Sequence, residues 1–269
     1  MPSISEPTAD TGTVPKLRVE GLSFGYGGKP IQHDISFEVA TGSIFAIMGG
    51  SGCGKSTLMK AMIGLLRPIE GTIHVESEDY WAAAGERRAE IGRRFGVVFQ
   101  SGALWSSMSA EENVALPLRL FSPLPDTEIL ALARLKLSMV GLGALGAEMP
   151  AGLSGGMRRR VGIARALSLE PEVLFLDEPS AGLDPISAKR LDDLIVELRS
   201  GFGVTVVMVS HELPSLLDIC DDGIFLDAET GTSIARGAPK AMRETSTHPT
   251  VKAFMNRERP AETKSNETR

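Results

Sequence analysis

Hydrophobic positions along this chain change their rhythm twice, and each change marks a different kind of element. From residue 16 to about 100, short apolar runs alternate with glycine turns. Ile44, Phe45, Ala46, Ile47 and Met48 form one such run, apolar at every position as in a strand buried on both faces. Leu58, Met62 and Leu65 then recur at helical spacing, and Pro68 is expected to stop that helix. Residues 101 to about 170 read as mostly helical, with Ile129, Leu130, Leu132, Leu135, Leu137 and Val140 in a leucine-rich amphipathic stretch. From Glu172 onward strands and helices alternate again. An apolar run at 173–176 is followed by a helix whose buried face is Leu191, Leu194, Ile195 and Leu198, and then by the β-branched run 204–209. This order predicts an α/β fold whose parallel sheet is interrupted by a helical insertion. Residues 1–15 and 259–269 are polar and aperiodic, and are expected to be disordered.

The most specific chemistry follows the first buried run. Gly49, Gly50, Ser51, Gly52, Cys53, Gly54, Lys55, Ser56 and Thr57 read GGSGCGKST, which satisfies G-x-x-x-x-G-K-[ST] through Gly49, Gly54, Lys55 and Ser56. Glycines suit such a loop because bare backbone N–H groups must wrap closely around phosphate oxygens. Lys55 would reach the β- and γ-phosphates of a nucleotide, and Ser56 would ligate magnesium. Strand, loop and helix N-terminus follow in the order that aims a helix dipole at an anion. Cys53 is expected to lie in the loop rather than in a core, so that a bulky thiol reagent would block nucleotide and Mg-ATP would protect the thiol.

A second constellation is VLFLDEP, Val173 to Pro179, four apolar residues running into two acids. Asp177 is placed to hold hydrated magnesium, and Glu178 to polarise the water that attacks the γ-phosphate. Asp184 and Pro185 then suit the N-cap and first turn of a helix. Asp177 and His211 stand 34 residues apart, which fits one strand–helix–strand unit and puts both at the same sheet edge.

Composition narrows the class. The chain has 269 residues, 42% of them hydrophobic, and a formal net charge of −6, which argues against a nucleic-acid partner. Two cysteines, Cys53 and Cys220, do not suggest a disulfide framework or a zinc site. The polar, proline-bearing N-terminus lacks the apolar core of a signal peptide, and no apolar run approaches the ~18 residues of a membrane span, so a cytoplasmic location is expected.

LSGGM, Leu153 to Met157, precedes three arginines and an apolar-periodic helix through Leu167. With the phosphate loop, the acid pair and the histidine, this motif makes the chain resemble the ABC (ATP-binding cassette) ATPases from about Leu17 to about Gly237. The resemblance implies a P-loop NTPase (RecA-like) nucleotide-binding domain over 16–246, with a small antiparallel β subdomain and a helical subdomain at about 101–170. A C-terminal helix and polar tail would fill 247–269. It also implies ATP hydrolysis with Mg2+ by a homodimer, in which Ser154, Gly155 and Gly156 contact the γ-phosphate held by the opposite subunit. Tyr26 resembles the aromatic that stacks on adenine, and Gln100 the glutamine that touches magnesium and senses the transporter. Ser180 to Asp184 matches the loop that couples the two sites, and His211 the switch histidine.

Met157 with Arg158, Arg159 and Arg160, the segment FQSGAL at 99–104 and the tail HPTVKAFM at 248–255 are similar to Mla/Mce-type phospholipid-transport cassettes. That similarity implies an integral membrane permease, an MCE-type lipid-binding subunit and a small cytoplasmic accessory subunit, with the cassette on the cytoplasmic side of a bacterial inner membrane. The arginine triplet reads equally well as a solvated helix face. Other ABC importers or exporters, a soluble ABC protein and a non-hydrolysing assembly module are alternatives; Glu178 and His211 weigh against the last.

Overall fold

The computed structural model describes residues 14–258. Strands β1 (Leu17–Tyr26) and β2 (Lys29–Val39) form a hairpin, followed by β3 (Ile44–Gly49), α1 (Lys55–Met62), β4 (Glu70–Val75), the two-residue β5 (Glu78–Asp79), α2 (Gly85–Arg93) and β6 (Phe95–Val98). Helices α3 (Ala110–Phe121), α4 (Asp126–Met139) and α5 (Gly155–Ala166) come next. The chain then runs through β7 (Val173–Asp177), α6 (Pro185–Phe202), β8 (Thr205–Val209), α7 (Leu213–Ile219), β9 (Asp222–Leu226), β10 (Ser233–Arg236), α8 (Pro239–Thr245) and α9 (Pro249–Asn256). Most of the residues called disordered, 1–13 and 259–269, lie outside the described ones.

Two sheets organise these elements. One is antiparallel, in the order β2-β1-β4-β5; the other, in the order β10-β9-β3-β8-β7-β6, is parallel except for the β10–β9 pair. The apolar strands explain the layering. Ile44, Ala46 and Met48 of β3 face one core with Leu174 and Leu176 of β7, Met208 of β8 and the inner faces of α3 to α7. Phe45 and Ile47 face the other core with Phe175 of β7, Val207 of β8, α1 and the inward side of the antiparallel sheet. A strand covered on both faces has no position at which water rewards a polar residue, so its sequence is continuously apolar.

Two expectations about helices need correcting. Helix α1 ends at Met62, where Ile63 caps it and Gly64 turns the chain at φ +84°, and Leu65 is 64% exposed rather than on the buried face. In α4 the buried positions are Ile129, Ala133, Lys136 and Leu137, while Leu135 is 55% exposed. Apolar residues outnumber the positions that one stripe of this helix can bury, so periodicity alone does not select among them.

A polar knot fastens the two sheets. Lys16, just before β1, pairs with Glu76 at 2.7 Å and Glu172 at 3.0 Å, while Arg94, after α2, donates to Glu172 at 2.7 Å and to Glu76 at 2.8 Å. Hydrogen bonding from Arg94, helped by Lys16, holds the Glu172 carboxyl down to about 2.

Candidate nucleotide-binding site

Four parallel strands, β3, β6, β7 and β8, deliver their chemistry to one edge. The loop after β3, Gln100 after β6, Glu178 after β7 and His211 after β8 all line one cleft of roughly 800 Å³ at the carboxyl ends of the strands, where open α/β sheets bind ligands. Parallel registry causes the convergence: Ile47 pairs with Val209 and Asp177 with Val209, so the three strands end level.

Gly49, Gly50, Ser51, Gly52, Gly54, Lys55, Ser56 and Thr57 form the cleft wall. Gly49 has φ +143°, and a Cβ there would strike the Leu226 carbonyl oxygen and Cys53 Sγ. Lys55 Nζ donates to the carbonyls of Gly49 at 3.0 Å and Gly50 at 2.8 Å, which holds the ammonium inside the curl of the loop. Ser56 Oγ donates to Asp177 Oδ1 at 3.0 Å. Burial pushes the Asp177 carboxyl up, partly opposed by that hydrogen bond.

Glu178 has a left-handed backbone at φ +51°, a conformation that carries strain for a non-glycine residue. Its N–H donates to the Val209 carbonyl at 2.9 Å, which ties the turn to the adjacent strand. Its Oε1 lies 2.8 Å from His211 Nδ1, the ring nitrogen donating to the carboxylate, while Oε2 is buried without a partner. An acceptor of that kind beside a phosphate-binding loop is available to a water.

Other expected residues lie elsewhere. Tyr26 is 53% exposed at the hairpin end and does not line the cleft; Ile31 of β2 does. Cys53 requires a correction: its thiol is 1% exposed, packs beneath Gly49 as part of a core, and has its pKa raised by burial. A reagent cannot reach it as readily as its place in the loop suggested.

Ser154 caps α5 by accepting from Met157 N at 3.2 Å, with Gly155 and Gly156 opening the helix, and Asp184 caps α6 by accepting from Ile186 N and Ser187 N. None of these four residues lines the cleft of its own chain.

The arginine triplet also proves different from a solvated face. Arg158 donates to the Leu153 carbonyl at 2.6 Å, Arg160 to that of Val140 at 3.2 Å, and Arg159, 8% exposed, to that of Ala181. Arg165 donates to the carbonyls of Gly102 and Ala103, both at 2.9 Å. Helix α5 is thereby fastened both to the turn after Gln100 and to the loop after Glu178. Charge runs read from sequence give no sign of this, because the acceptors of Arg159, Arg160 and Arg165 are backbone carbonyls distant in the chain.

Sequence reasoning missed two supports. Gln32 of β2, 0% exposed, donates from Nε2 to the Cys53 carbonyl at 2.8 Å and to the Asp227 carbonyl at 2.7 Å, bracing the phosphate loop from below. Ala253, Phe254, Arg257 and Glu258, in or just after α9, line the far side of the cleft. Phe254 sits edge-on to Phe225 at 5.0 Å, and Val251 and Met255 anchor the helix in the core. The apolar spacing of HPTVKAFM was the available signal for a docked helix, though not for where it docks.

A glycine-rich loop at a helix N-terminus, on a parallel sheet with a helical insertion, defines a P-loop nucleotide-binding protein. The family model for the ABC transporter matches residues 32–181, and the chain belongs to that family. It is an ATP-binding, ATP-hydrolysing ABC transporter subunit. The chain is 40% identical over 236 residues to the intermembrane phospholipid transport system ATP-binding protein MlaF of Escherichia coli, covering 87% of this chain and 86% of that protein. It is 35% identical over 254 residues to the probable ribonucleotide transport ATP-binding protein mkl of Mycobacterium tuberculosis, covering 93% and 70%. Among solved structures it resembles the ATP-binding cassette MJ0796 in a dimeric post-hydrolysis state bound to ADP and Pi. That likeness has a TM-score of 0.74 and 27% identity, and covers 82% of this chain and 98% of that one.

Proposed function

We propose that this subunit drives phospholipid movement by a separate membrane permease, through ATP-dependent closure of a homodimer. The observation that carries the hydrolytic reading is the arrival of loop lysine, acid and histidine at one cleft from three strands. In this reading the loop N–H groups and Lys55 hold the phosphates. Glu178 orients and polarises the attacking water, and His211 holds the γ-phosphate while keeping Glu178 in place. Ser56 and Asp177, already oxygen to oxygen at 3.0 Å, offer the hard donor set that suits magnesium, with Gln100 at the rim. No cluster of three or more His, Cys, Asp or Glu side chains suited to a metal occurs among the described residues. That fits an ion held by one carboxylate, a hydroxyl and nucleotide phosphates rather than by a protein cage. Magnesium there would neutralise charge on the β- and γ-phosphates.

Ser154, Gly155 and Gly156 would serve the partner's nucleotide, since they do not line their own cleft and they open a second anion-binding helix start. Asp184 belongs to the loop coupling the two sites, and Tyr26 would stack on adenine. Among the described residues no helix is long and apolar enough to cross a membrane. Attachment to the cytoplasmic side of an inner membrane would therefore come through the permease, joined by an MCE-type lipid-binding subunit and a small accessory subunit. Likeness to MlaF across most of both chains supports lipid as cargo.

The test pairs two variants. Glu178→Gln keeps the shape but not the base and is expected to bind ATP without turnover, whereas Lys55→Ala is expected to lose ATP. Near-normal turnover in Glu178→Gln would overturn the catalytic assignment. Co-purification with the permease and identification of bound lipid tests the cargo.

A further inference from the structure

Outside the cleft, at a second cavity lined by Ser180, Asp192 and Ser215, a buried polar chain joins the two segments that carry Glu178 and His211. Ser180, 3% exposed, lies two residues after Glu178; Ser215, 2% exposed, lies on α7 four residues after His211. Their hydroxyl oxygens are 3.5 Å apart, and Ser215 Oγ donates to Asp192 Oδ2 at 2.8 Å. Asp192 is 4% exposed and occupies the buried row of α6, beside Leu191, Leu194 and Ile195, where an apolar residue would be the cheaper choice. Its Oδ1 is buried without a hydrogen-bond partner, and burial pushes the carboxyl up to about 6.

The direction of the chain follows from its chemistry. An ionised carboxylate only accepts, so the Ser215 proton points to Asp192, leaving the Ser215 lone pairs to accept from Ser180. The same loop is gripped from its other side by Arg159 of α5, which donates to the carbonyl of Ala181. Glu178 itself sits in a strained left-handed conformation, which persists only where surrounding contacts over-determine it.

We propose that Asp192 and Ser215 are positioning residues, which lock the loop after Glu178 to the segment after His211 and so hold these two side chains in register for hydrolysis. This rests on the assignment of Glu178 and His211 to the hydrolytic centre. Their own contact, 2.8 Å at the cleft, is the exposed tie between the two segments. The Asp192–Ser215–Ser180 chain is the buried one, and none of its three residues lines the cleft. Cutting it therefore leaves nucleotide binding in place and loosens the geometry of the chemical step.

The experiment measures kcat, ATP affinity and thermal midpoint of the full-length chain carrying Ser215→Ala or Asp192→Leu, each of which removes one partner of the Ser215–Asp192 hydrogen bond. Each is expected to keep ATP affinity within about twofold and to lower kcat on the order of tenfold, since small misplacements of catalytic groups are costly in rate. Asp192→Leu separates positioning from mere packing, because an apolar side chain in this row preserves or raises the thermal midpoint while still removing the tie. Ser215→Ala removes a single oxygen and carries the test if the larger change does not fold. Folded variants with kcat within about twofold of the parent, or a fall in ATP affinity that accounts for the lost rate, would overturn the proposal. Glu178→Gln measured alongside keeps the readings apart. If it is inactive while the Asp192 and Ser215 variants are fully active, only the positioning role falls; if it is active, the catalytic assignment falls first.

Discussion

Replacing Gln32 by Met tests whether the phosphate loop is braced from beneath. Methionine matches the length and bulk of glutamine, so the substitution removes the amide donors while leaving little cavity. Two carbonyls, of Cys53 and Asp227, then lose a buried donor at 2.8 and 2.7 Å. Each loss costs about 1–3 kcal/mol, partly offset because Gln32 Oε1, itself buried without a partner, disappears as well. The net expectation is destabilisation by about 2 kcal/mol, a fall of about 4 °C in thermal midpoint for a chain of this size. If ATP must restore the loop on binding, the same 2 kcal/mol bounds the loss of ATP affinity at about thirtyfold. Thermal melts with and without ATP, and equilibrium binding of a fluorescent ATP analogue, measure both quantities. A midpoint shift under about 1 °C with unchanged affinity would refute the brace, because it would show that the two carbonyls find other partners at no cost.

Cys53 should react with a bulky maleimide far more slowly in the folded chain than after unfolding, since its thiol is buried and its pKa raised; rapid labelling without loss of structure, compared against Cys53→Ala, would contradict the packing. Glu172→Gln should destabilise by about 1 kcal/mol at pH 7, the network being half exposed. Because the folded pKa of Glu172 is depressed to about 2, its contribution is complete above the unfolded value near 4.3 and disappears as pH falls toward 2. Denaturation of parent and variant across pH 7 to 2.5 should show the difference shrinking with acid, and a difference that grows would reverse the assignment. In mixtures of parent with Ser154→Arg, ATPase activity of the assembled transporter should fall faster than in proportion to the mutant fraction. Linear loss, with assembly and exchange shown to be normal, would contradict a composite site.

How much of this protein was legible in its sequence depends on the range of the interaction concerned. The phosphate loop, the acid pair at the end of β7, the caps at Ser154 and Asp184 and the continuously apolar strands were all readable. Each expresses a local requirement: backbone wrapping a phosphate, a carboxylate at a strand end, a side chain closing a helix start, or burial on two faces. The strand–helix–strand spacing from Asp177 to His211 was readable for the same reason, since it counts residues along one chain. Which leucines of α4 face inward was not, because α3 and α5 decide that. Nor was the burial of Cys53, whose thiol packs into the core that α1 and the antiparallel sheet share with β3. Gln32, the arginines bound to distant carbonyls and the Asp192–Ser215–Ser180 chain all depend on partners at least 20 residues away. A backbone carbonyl acceptor leaves no mark in the sequence, so tertiary packing alone chose these contacts.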